Sequence, residues 1–137
     1  MAFCSSNAAP VNREACLKFF FQPVSEQKVQ FKSRPIDEQY DLFICGNQLI
    51  HPPAKYLARP FAERGPEIVS YLHKKLLKVD NELTLRDIAL ILSEANELEE
   101  YELDQETILL LDKKSNEMTG PWKEVVRRMV DRIAKPK

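Results

Sequence analysis

The chain has 137 residues, of which 44% are hydrophobic and 30% are charged, and its formal net charge at pH 7 is −1. This length and composition are typical of one globular domain rather than a disordered segment. The three glycines lie far apart, at Gly46, Gly65 and Gly120, which excludes the glycine-rich loops of P-loop and dinucleotide-binding proteins. The near-neutral charge argues against nucleic acid as a partner, because nucleic-acid-binding proteins usually carry a basic excess.

We predict that residues 1–14 form a flexible segment ahead of a single helical domain over residues 15–137. Cys4 precedes small and polar residues, an arrangement that resembles the mature end of a bacterial lipoprotein, although Phe3 stands where a lipidation signal needs a small residue. We therefore expect a cytoplasmic protein if Met1 is the true start. A signal segment upstream would instead make it a periplasmic lipoprotein anchored through Cys4. No run reaches the roughly 18 apolar residues of a membrane span.

The three cysteines, Cys4, Cys16 and Cys45, lie 12 and 29 positions apart with no C-x-x-C pair. This spacing argues against zinc sites of the finger or ribbon kind. An odd number permits at most one internal disulfide and leaves one thiol over. Cys45 lies in an apolar stretch, and we interpret it as a small buried hydrophobic residue. With only two histidines besides, we predict neither a metal nor a cofactor.

The secondary structure of the first half of the chain is only partly decided by its sequence pattern. Residues 15–31 are compatible with a strand or a helix, because the apolar run Phe19–Phe21 is too short for periodicity to decide. From Pro35 to Ile50 the apolar residues share one helix face. Gly46 inside this helix costs about 1 kcal/mol relative to alanine, and close helix packing is the simplest explanation for it.

The second half of the chain has clear helical periodicity. Apolar spacing predicts a short helix over residues 54–61, interrupted by Pro60, and four longer helices beginning near Pro66, Thr84, Gln105 and Pro121. We predict that Thr84 caps its helix and that Trp122 lies on the buried face of the last one. The chain contains no Asn-Gly, Asp-Gly or Gly-Gly hairpin turn. The predicted fold class is therefore all-α, built from antiparallel helix pairs.

These four helices form two pairs, whose corresponding starts are offset by 39 and 37 residues. A period of about 40 residues with two antiparallel helices per unit is typical of HEAT and armadillo arrays. The segments Arg64–Leu72 and Gly120–Trp122 each place Gly-Pro at a helix entry, as such units do. Over residues 36–135 the chain thus resembles a HEAT-like repeat protein, and the resemblance implies a protein partner bound along a groove between helices. Because the acidic connection over residues 97–104 departs from a tight array, an irregular bundle of six or seven helices is the alternative.

Charge is unevenly distributed along the chain. Ten acidic residues and one basic residue lie between Asp80 and Glu106, whereas six basic and two acidic residues lie between Pro121 and Lys137. We predict that both regions bind a partner, although solvated helix surfaces are the simpler alternative. The predicted partner-binding residues are Glu97, Glu99, Glu100 and Glu102 in the acidic region, and Lys123, Arg127, Arg128 and Arg132 on the last helix.

No pattern in the sequence indicates a catalytic site. His51 before Pro52-Pro53 is distinctive, but a general base needs an orienting acid and none lies at a useful spacing. We expect His73 on the solvated side of its helix, and the chain lacks a G-x-S-x-G motif. We therefore expect no enzyme but a protein-interaction or scaffold module. The alternatives are an immunity-type inhibitor that neutralises a toxin with its acidic segment, and a small enzyme that uses His51.

Overall fold

A computed structural model describes residues 12–98 and 101–135 of the chain. Over these residues the chain forms eight α-helices and no strand, which confirms the all-α prediction. The chain divides into two compact units, over residues 1–61 and 62–137. The helices are α1 (Arg13–Phe20), α2 (Val24–Lys32), α3 (Ile36–Leu49), α4 (Ala58–Ala62), α5 (Glu67–Lys78), α6 (Glu82–Asn96), α7 (Gln105–Asn116) and α8 (Lys123–Ala134).

The ambiguous segment at the start of the first unit is helical. The side-chain oxygen of Asn12 accepts a hydrogen bond from the Ala15 N–H at 2.8 Å and caps α1, and Pro23 precedes α2. These two helices raise the number to eight, above the six or seven expected. Of the predicted flexible segment, residues 1–11 lie outside the described residues, and Arg13 already belongs to α1. A single domain over residues 15–137 stays a prediction.

A disulfide between Cys16 and Cys45 joins α1 to α3, with the two Cα atoms 6.3 Å apart. The interpretation of Cys45 as a plain buried hydrophobic residue is therefore wrong. The sequence allowed one disulfide, but the packing of α1 on α3 decides which cysteines meet. The bond closes a loop of 29 residues, so it removes substantial conformational freedom from the unfolded chain.

The helix predicted from Pro35 is α3, which ends at Leu49 as expected. The apolar piece that follows is divided between a 3₁₀ turn, Lys55–Leu57, and α4. The break therefore lies ahead of Pro60 and not at Pro60, where we expected it. Pro60 is the third residue of α4, and a backbone N–H in the first turn has no partner within its helix.

The core of the first unit contains fully buried aromatic rings. Phe61 meets Phe31 and Phe43 edge to face, with ring centroids 6.0 and 6.5 Å apart. Gly46 lies where α3 meets other parts of the unit. A Cβ added there would stand 2.9 Å from the Ala54 Cβ and would overlap the Phe20 ring. The predicted close packing at Gly46 is confirmed.

The buried side-chain amide of Gln27 links α2 to the end of α1 and to the 3₁₀ turn of this unit. Its Nε2 donates to the carbonyl oxygens of Phe20 at 3.2 Å and Gln22 at 2.8 Å, and its Oε1 accepts from the Tyr56 hydroxyl at 2.5 Å. The amide is thus satisfied at both ends, as burial of a polar group requires. Burial raises the pKa of Tyr56, and the hydrogen bond to Gln27 partly offsets this.

In the second unit, the first helices of the two predicted pairs, α5 and α7, run side by side and parallel. His73 of α5 meets Thr107 of α7, and further along both helices the Lys114 Nζ donates to the Val79 carbonyl at 3.0 Å. Because both contact positions advance together, α5 and α7 point the same way.

The other two helices, α6 and α8, begin at the same end of the unit and pack along one another, so they are parallel as well. Glu82 at the start of α6 meets Gly120, and one turn later the Arg86 guanidinium lies 4.5 Å from the centre of the Trp122 ring. Within a pair the direction reverses, since Arg127 of α8 reaches back to Asp112 of α7. The unit therefore consists of two antiparallel hairpins, α5–α6 and α7–α8, stacked on one another. This arrangement is compatible with a helical repeat.

Two sequence predictions in this unit are wrong. The N-cap of α6 is Asn81, whose side-chain oxygen accepts from the N–H groups of Leu83 and Thr84 at 2.8 and 3.2 Å, so Thr84 lies inside the helix. Trp122 precedes α8 and is 37% exposed, because its ring packs against the Arg86 guanidinium rather than into the core. Among the described residues, no helix combines the length and hydropathy needed to span a membrane.

Glu82 connects the first hairpin to the turn of the second. Its two carboxylate oxygens accept from the N–H groups of Thr119 and Gly120, each at 2.9 Å. These backbone hydrogen bonds hold the pKa of Glu82 below its usual value, because they stabilise the charged form. One side chain thus anchors the turn between α7 and α8.

We predict that reduction of the disulfide lowers the free energy of unfolding by about 3.5 kcal/mol, the loop-closure contribution expected for a loop of this length. Urea unfolding followed by circular dichroism, with and without a reductant, measures this difference. A Cys16→Ser/Cys45→Ser variant should show the same loss and no response to reductant, whereas Cys4→Ser should behave as wild type. An unchanged midpoint on reduction would contradict the prediction.

We predict that Glu82 contributes stability above the pKa it has in the unfolded chain, near 4.5. Because its pKa is lower in the folded state, this contribution is lost as the pH falls through that lower value. Glu82→Gln should therefore be less stable than wild type at neutral pH, and the difference should shrink in acid. Thermal unfolding across the pH range measures it. The matched variant Glu117→Gln, which removes an equal charge at an exposed position, should be about as stable as wild type at neutral pH.

Candidate functional site

A cavity of about 380 Å³ opens in the second unit, between the first half of α5 and the segment that leads into α7. Its volume lies in the range of small-ligand and side-chain pockets. Because α5 and α7 are parallel, the N-terminal ends of both helices meet at this side of the unit. The lining combines apolar and ionisable residues: Pro66, Val69, Ser70, His73, Lys74, Tyr101, Glu102, Asp104, Glu106 and Thr107.

Three of these residues form a hydrogen-bond chain. The Thr107 hydroxyl donates to the Asp104 Oδ1 at 2.5 Å, and the Thr107 Oγ1 lies 2.9 Å from the His73 Nδ1. A hydroxyl can donate only one hydrogen bond, and the Thr107 hydroxyl donates it to the Asp104 carboxylate. The Thr107 oxygen therefore accepts a hydrogen bond from His73. The neutral His73 ring therefore carries its proton on Nδ1, and its Nε2 has an open lone pair. Thr107 is only 1% exposed, which holds the chain in place.

This placement corrects the prediction that His73 lies on a solvated surface. The ring is half-buried and lines the cavity. Its partner Thr107 lies 34 positions further along the chain, too far for any pattern within one helix to suggest. The repeat of helix pairs was the usable signal, because it aligns α5 with α7.

Tyr101 closes the inner side of the cavity. Its hydroxyl donates to the Ala62 carbonyl at 2.5 Å, and the residue is 4% exposed. Because the hydroxyl is taken up by this buried hydrogen bond, Tyr101 is held in one position. The cavity therefore has a preformed inner wall.

The predicted acidic residues are only partly brought together. Glu97 is exposed at the C-terminal end of α6, whereas Glu99 and Glu100 lie outside the described residues. Glu102 is exposed and lines the cavity, where it is joined by Asp104 and Glu106. Sequence reasoning did not single out these last two. We refer to Glu102, Asp104 and Glu106 as the acidic rim.

The predicted basic residues of α8 serve different purposes. Lys123 donates to the Asn116 carbonyl at 2.9 Å, and Arg128 forms a short ion pair with Glu124 one turn away on α8. Arg132 is exposed and pairs with no residue in the described part of the chain. Partner binding by these three side chains stays a prediction.

Arg127 holds the second hairpin together. Its Nη1 donates to the Asp112 carboxylate at 2.7 Å and to the Ser115 hydroxyl at 2.8 Å, and its Nη2 lies 3.8 Å from the Asp131 carboxylate. The contacts with Asp112 and Ser115 join α8 to α7, and the contact with Asp131 lies within α8. The side chain is therefore engaged within the fold, which its position on the polar face of α8 did not reveal.

His51 is exposed and lines neither this cavity nor a smaller one of about 150 Å³ beside the α5–α6 connection. It has no hydrogen-bond partner within residues 12–98 and 101–135. Over the same residues no group of three or more His, Cys, Asp or Glu side chains is placed to hold a metal ion.

Comparison of the chain with protein-family models, with curated proteins and with solved structures returned no match. The function proposed below therefore rests on the helix arrangement of the second unit and on the residues that line its cavity.

We predict that Arg127→Ala lowers the free energy of unfolding by about 1–3 kcal/mol, because it removes charged hydrogen bonds between α7 and α8. Arg128→Ala and Arg132→Ala should each change it by less than about 0.5 kcal/mol, since both side chains are exposed. All three remove one positive charge from the same helix, so they are matched. Urea unfolding measures the differences, and equal effects of the three variants would contradict an internal role for Arg127.

Proposed function

We propose that this chain is a non-enzymatic, HEAT-like helical module that binds a basic segment of a partner protein at its acidic rim. One observation carries the proposal: three carboxylates line an open cavity, and Lys74 is the only cationic lining residue within residues 12–98 and 101–135. The N-termini of α5 and α7 each add about half a positive charge, which together with Lys74 leaves the site with about one net negative charge. A concave surface of one charge attracts a partner of the opposite charge.

The carboxylates of the rim are available to a partner. Glu102 and Glu106 are exposed and form no ion pair with any residue of the described ranges, and Asp104 is engaged only by the Thr107 hydroxyl. By contrast, the acidic residue Glu82 of the same unit is occupied by backbone N–H groups. The acidic region predicted from the sequence thus contains two carboxylates, those of Glu102 and Glu106, that are exposed and pair with no cation of the described ranges.

The stacking of the two hairpins supports a repeat module. Contacts between equivalent helices join residues 34 and 35 positions apart for α5 with α7, and 38 positions apart for Glu82 with Gly120. The separation of 38 positions lies close to the period of helix starts in the sequence, and the other two are about one helical turn shorter. Helical arrays bind partners along the surface that successive hairpins share, and here that surface contains the cavity between α5 and α7.

The outer face of α8 is proposed as a second contact surface. Arg128 and Arg132 are both exposed, and they lie on a helix whose sequence region has a local excess of four positive charges. This surface would contact an acidic region of the same partner. Among the basic residues of α8, Arg127 is engaged internally and Arg128 pairs with Glu124.

An immunity-type inhibitor is the second candidate function. The exposed carboxylates of Glu102 and Glu106 would cover a cationic active site as readily as they would bind a basic segment. In that case the partner is an enzyme, and complex formation abolishes its activity. A scaffold leaves its partner's activity in place, so an activity assay on the captured complex separates the two candidates.

We predict that a Glu102→Lys/Glu106→Lys variant loses its partner in affinity capture from the native host. Charge reversal places like charges against the basic segment, and we expect recovery to fall by about tenfold or more. Glu26→Lys/Glu117→Lys, with the same change in net charge at exposed positions, should capture the partner as wild type does. Binding should also weaken as salt is raised from about 0.05 to 0.5 M.

The readout is the amount of one protein, identified by mass spectrometry, relative to both controls. A protein lost from the rim variant and retained by the matched variant supports the proposal. Equal recovery with both variants would overturn it. His51→Ala should bind as wild type, and a loss of binding in this variant would favour the alternative of a small enzyme that uses His51.

A further inference from the structure

We propose that the cavity receives an arginine side chain of the partner, with the Nε2 of His73 as its fixed hydrogen-bond acceptor. The inference rests on the proposed function and names the chemistry that the acidic rim recognises. It is carried by the hydrogen-bond chain between Asp104, Thr107 and His73, the mixed lining of the cavity and the charge of the rim.

The hydrogen-bond chain selects the kind of group that can bind His73. With its proton held on Nδ1 by Thr107, the neutral ring presents only an acceptor at Nε2. A ligand atom that meets this nitrogen must therefore donate a hydrogen bond. Because Thr107 is buried and donates its hydroxyl hydrogen bond to Asp104, the His73 ring is oriented before any ligand arrives.

Besides Lys74, Ser70 and the hydrogen-bonded pair of His73 and Thr107, the lining consists of an apolar part and an acidic part. Pro66, Val69 and Tyr101 offer apolar surface, whereas the acidic rim offers carboxylate oxygens. A long side chain with methylene groups and a cationic end matches this division. The buried hydrogen bond from Tyr101 to the Ala62 carbonyl keeps the apolar wall in place, so little ordering is needed upon binding.

Guanidinium fits this donor requirement better than ammonium. It is planar and has five N–H donors in a fixed arrangement, so one group can donate to an imidazole nitrogen and to two carboxylates at once. An ammonium is a compact and strongly hydrated charge, which loses more on leaving water. The volume of about 380 Å³ is also more than an ammonium group would fill.

Acidic residues at the start of a helix also stabilise the helix dipole, and Asp104 and Glu106 lie at the start of α7. That role accounts for a carboxylate at the N-terminus of α7, but it does not require Glu102, nor a histidine with a fixed acceptor nitrogen. The residues of the cavity therefore exceed what helix stability demands.

The tautomer of His73 is the first test. Long-range ¹H–¹⁵N spectra of uniformly labelled protein at about pH 8, chosen to observe the neutral ring, distinguish a proton on Nδ1 from one on Nε2. We expect the Nδ1–H form in wild type and in Thr107→Ser, which keeps the hydroxyl. Thr107→Val should lose this preference. An Nε2–H ring in the wild type would overturn the proposal.

The ligand is tested with N-acetyl-arginine methylamide and its citrulline counterpart, a neutral probe of nearly equal shape. Amide chemical shifts should move saturably at residues lining the cavity for the arginine probe, with a dissociation constant of about 1 mM. The citrulline probe and the corresponding lysine probe should bind at least about fivefold more weakly. Equal binding of citrulline, or shifts confined to other regions, would overturn the proposal, and equal binding of lysine would overturn the choice of arginine.

Variants connect the two tests. Glu102→Gln/Glu106→Gln and His73→Leu should each weaken the arginine probe by about threefold or more, whereas Glu117→Gln should not. If a partner is captured through the acidic rim but binds His73→Leu and Thr107→Val as tightly as wild type, the arginine site fails and the proposed function stands. If the probe binds as expected and no protein is captured, the site stands and the proposed function fails.

Discussion

The alignment of α5 with α7 is the constraint on which the candidate site depends. His73 meets Thr107 and Val79 meets Lys114, so the two helices advance together and their N-terminal ends share one side of the unit. A shift of α7 by one residue would rotate its contact face by about 100° and separate Thr107 from His73. Glu82, holding the turn before α8, and Arg127, joining α8 to α7, maintain this alignment from the other pair of helices.

The charge pattern acquires a physical meaning from this arrangement. Some acidic residues of the second unit accept hydrogen bonds from other parts of the unit, whereas others are exposed to a partner. Glu82 and Asp112 accept hydrogen bonds from backbone N–H groups and a guanidinium, whereas Glu102 and Glu106 are exposed on the rim of a cavity. On the basic side, Arg127 is internal and Arg132 is exposed. A count of charges along the chain does not make this distinction, because it depends on which side chains reach one another.

The helices themselves were largely predictable. Apolar residues recur with helical spacing from Pro35 onward, and α3, α5, α7 and α8 lie where this spacing places them. The errors concern local competition between neighbouring groups. Asn81 replaces Thr84 as the cap because its side chain accepts from two N–H groups, and the helices over residues 15–31 form where an apolar run was too short to classify. The candidate site was predictable only through Glu102, since residue types alone gave no reason to select His73, Thr107 or Asp104.

The amino-acid sequence by itself determined the all-α class, the proline-marked helix starts and the concentration of carboxylates ahead of α7, because these depend on neighbours within a few residues. The tertiary structure decided the pairing of Cys16 with Cys45, the internal role of Arg127 and the orientation of His73 by Thr107. Each of these joins residues that are between 12 and 34 positions apart. Such pairs meet only when helices pack, and their packing follows from the shape and burial of whole faces rather than from any local pattern.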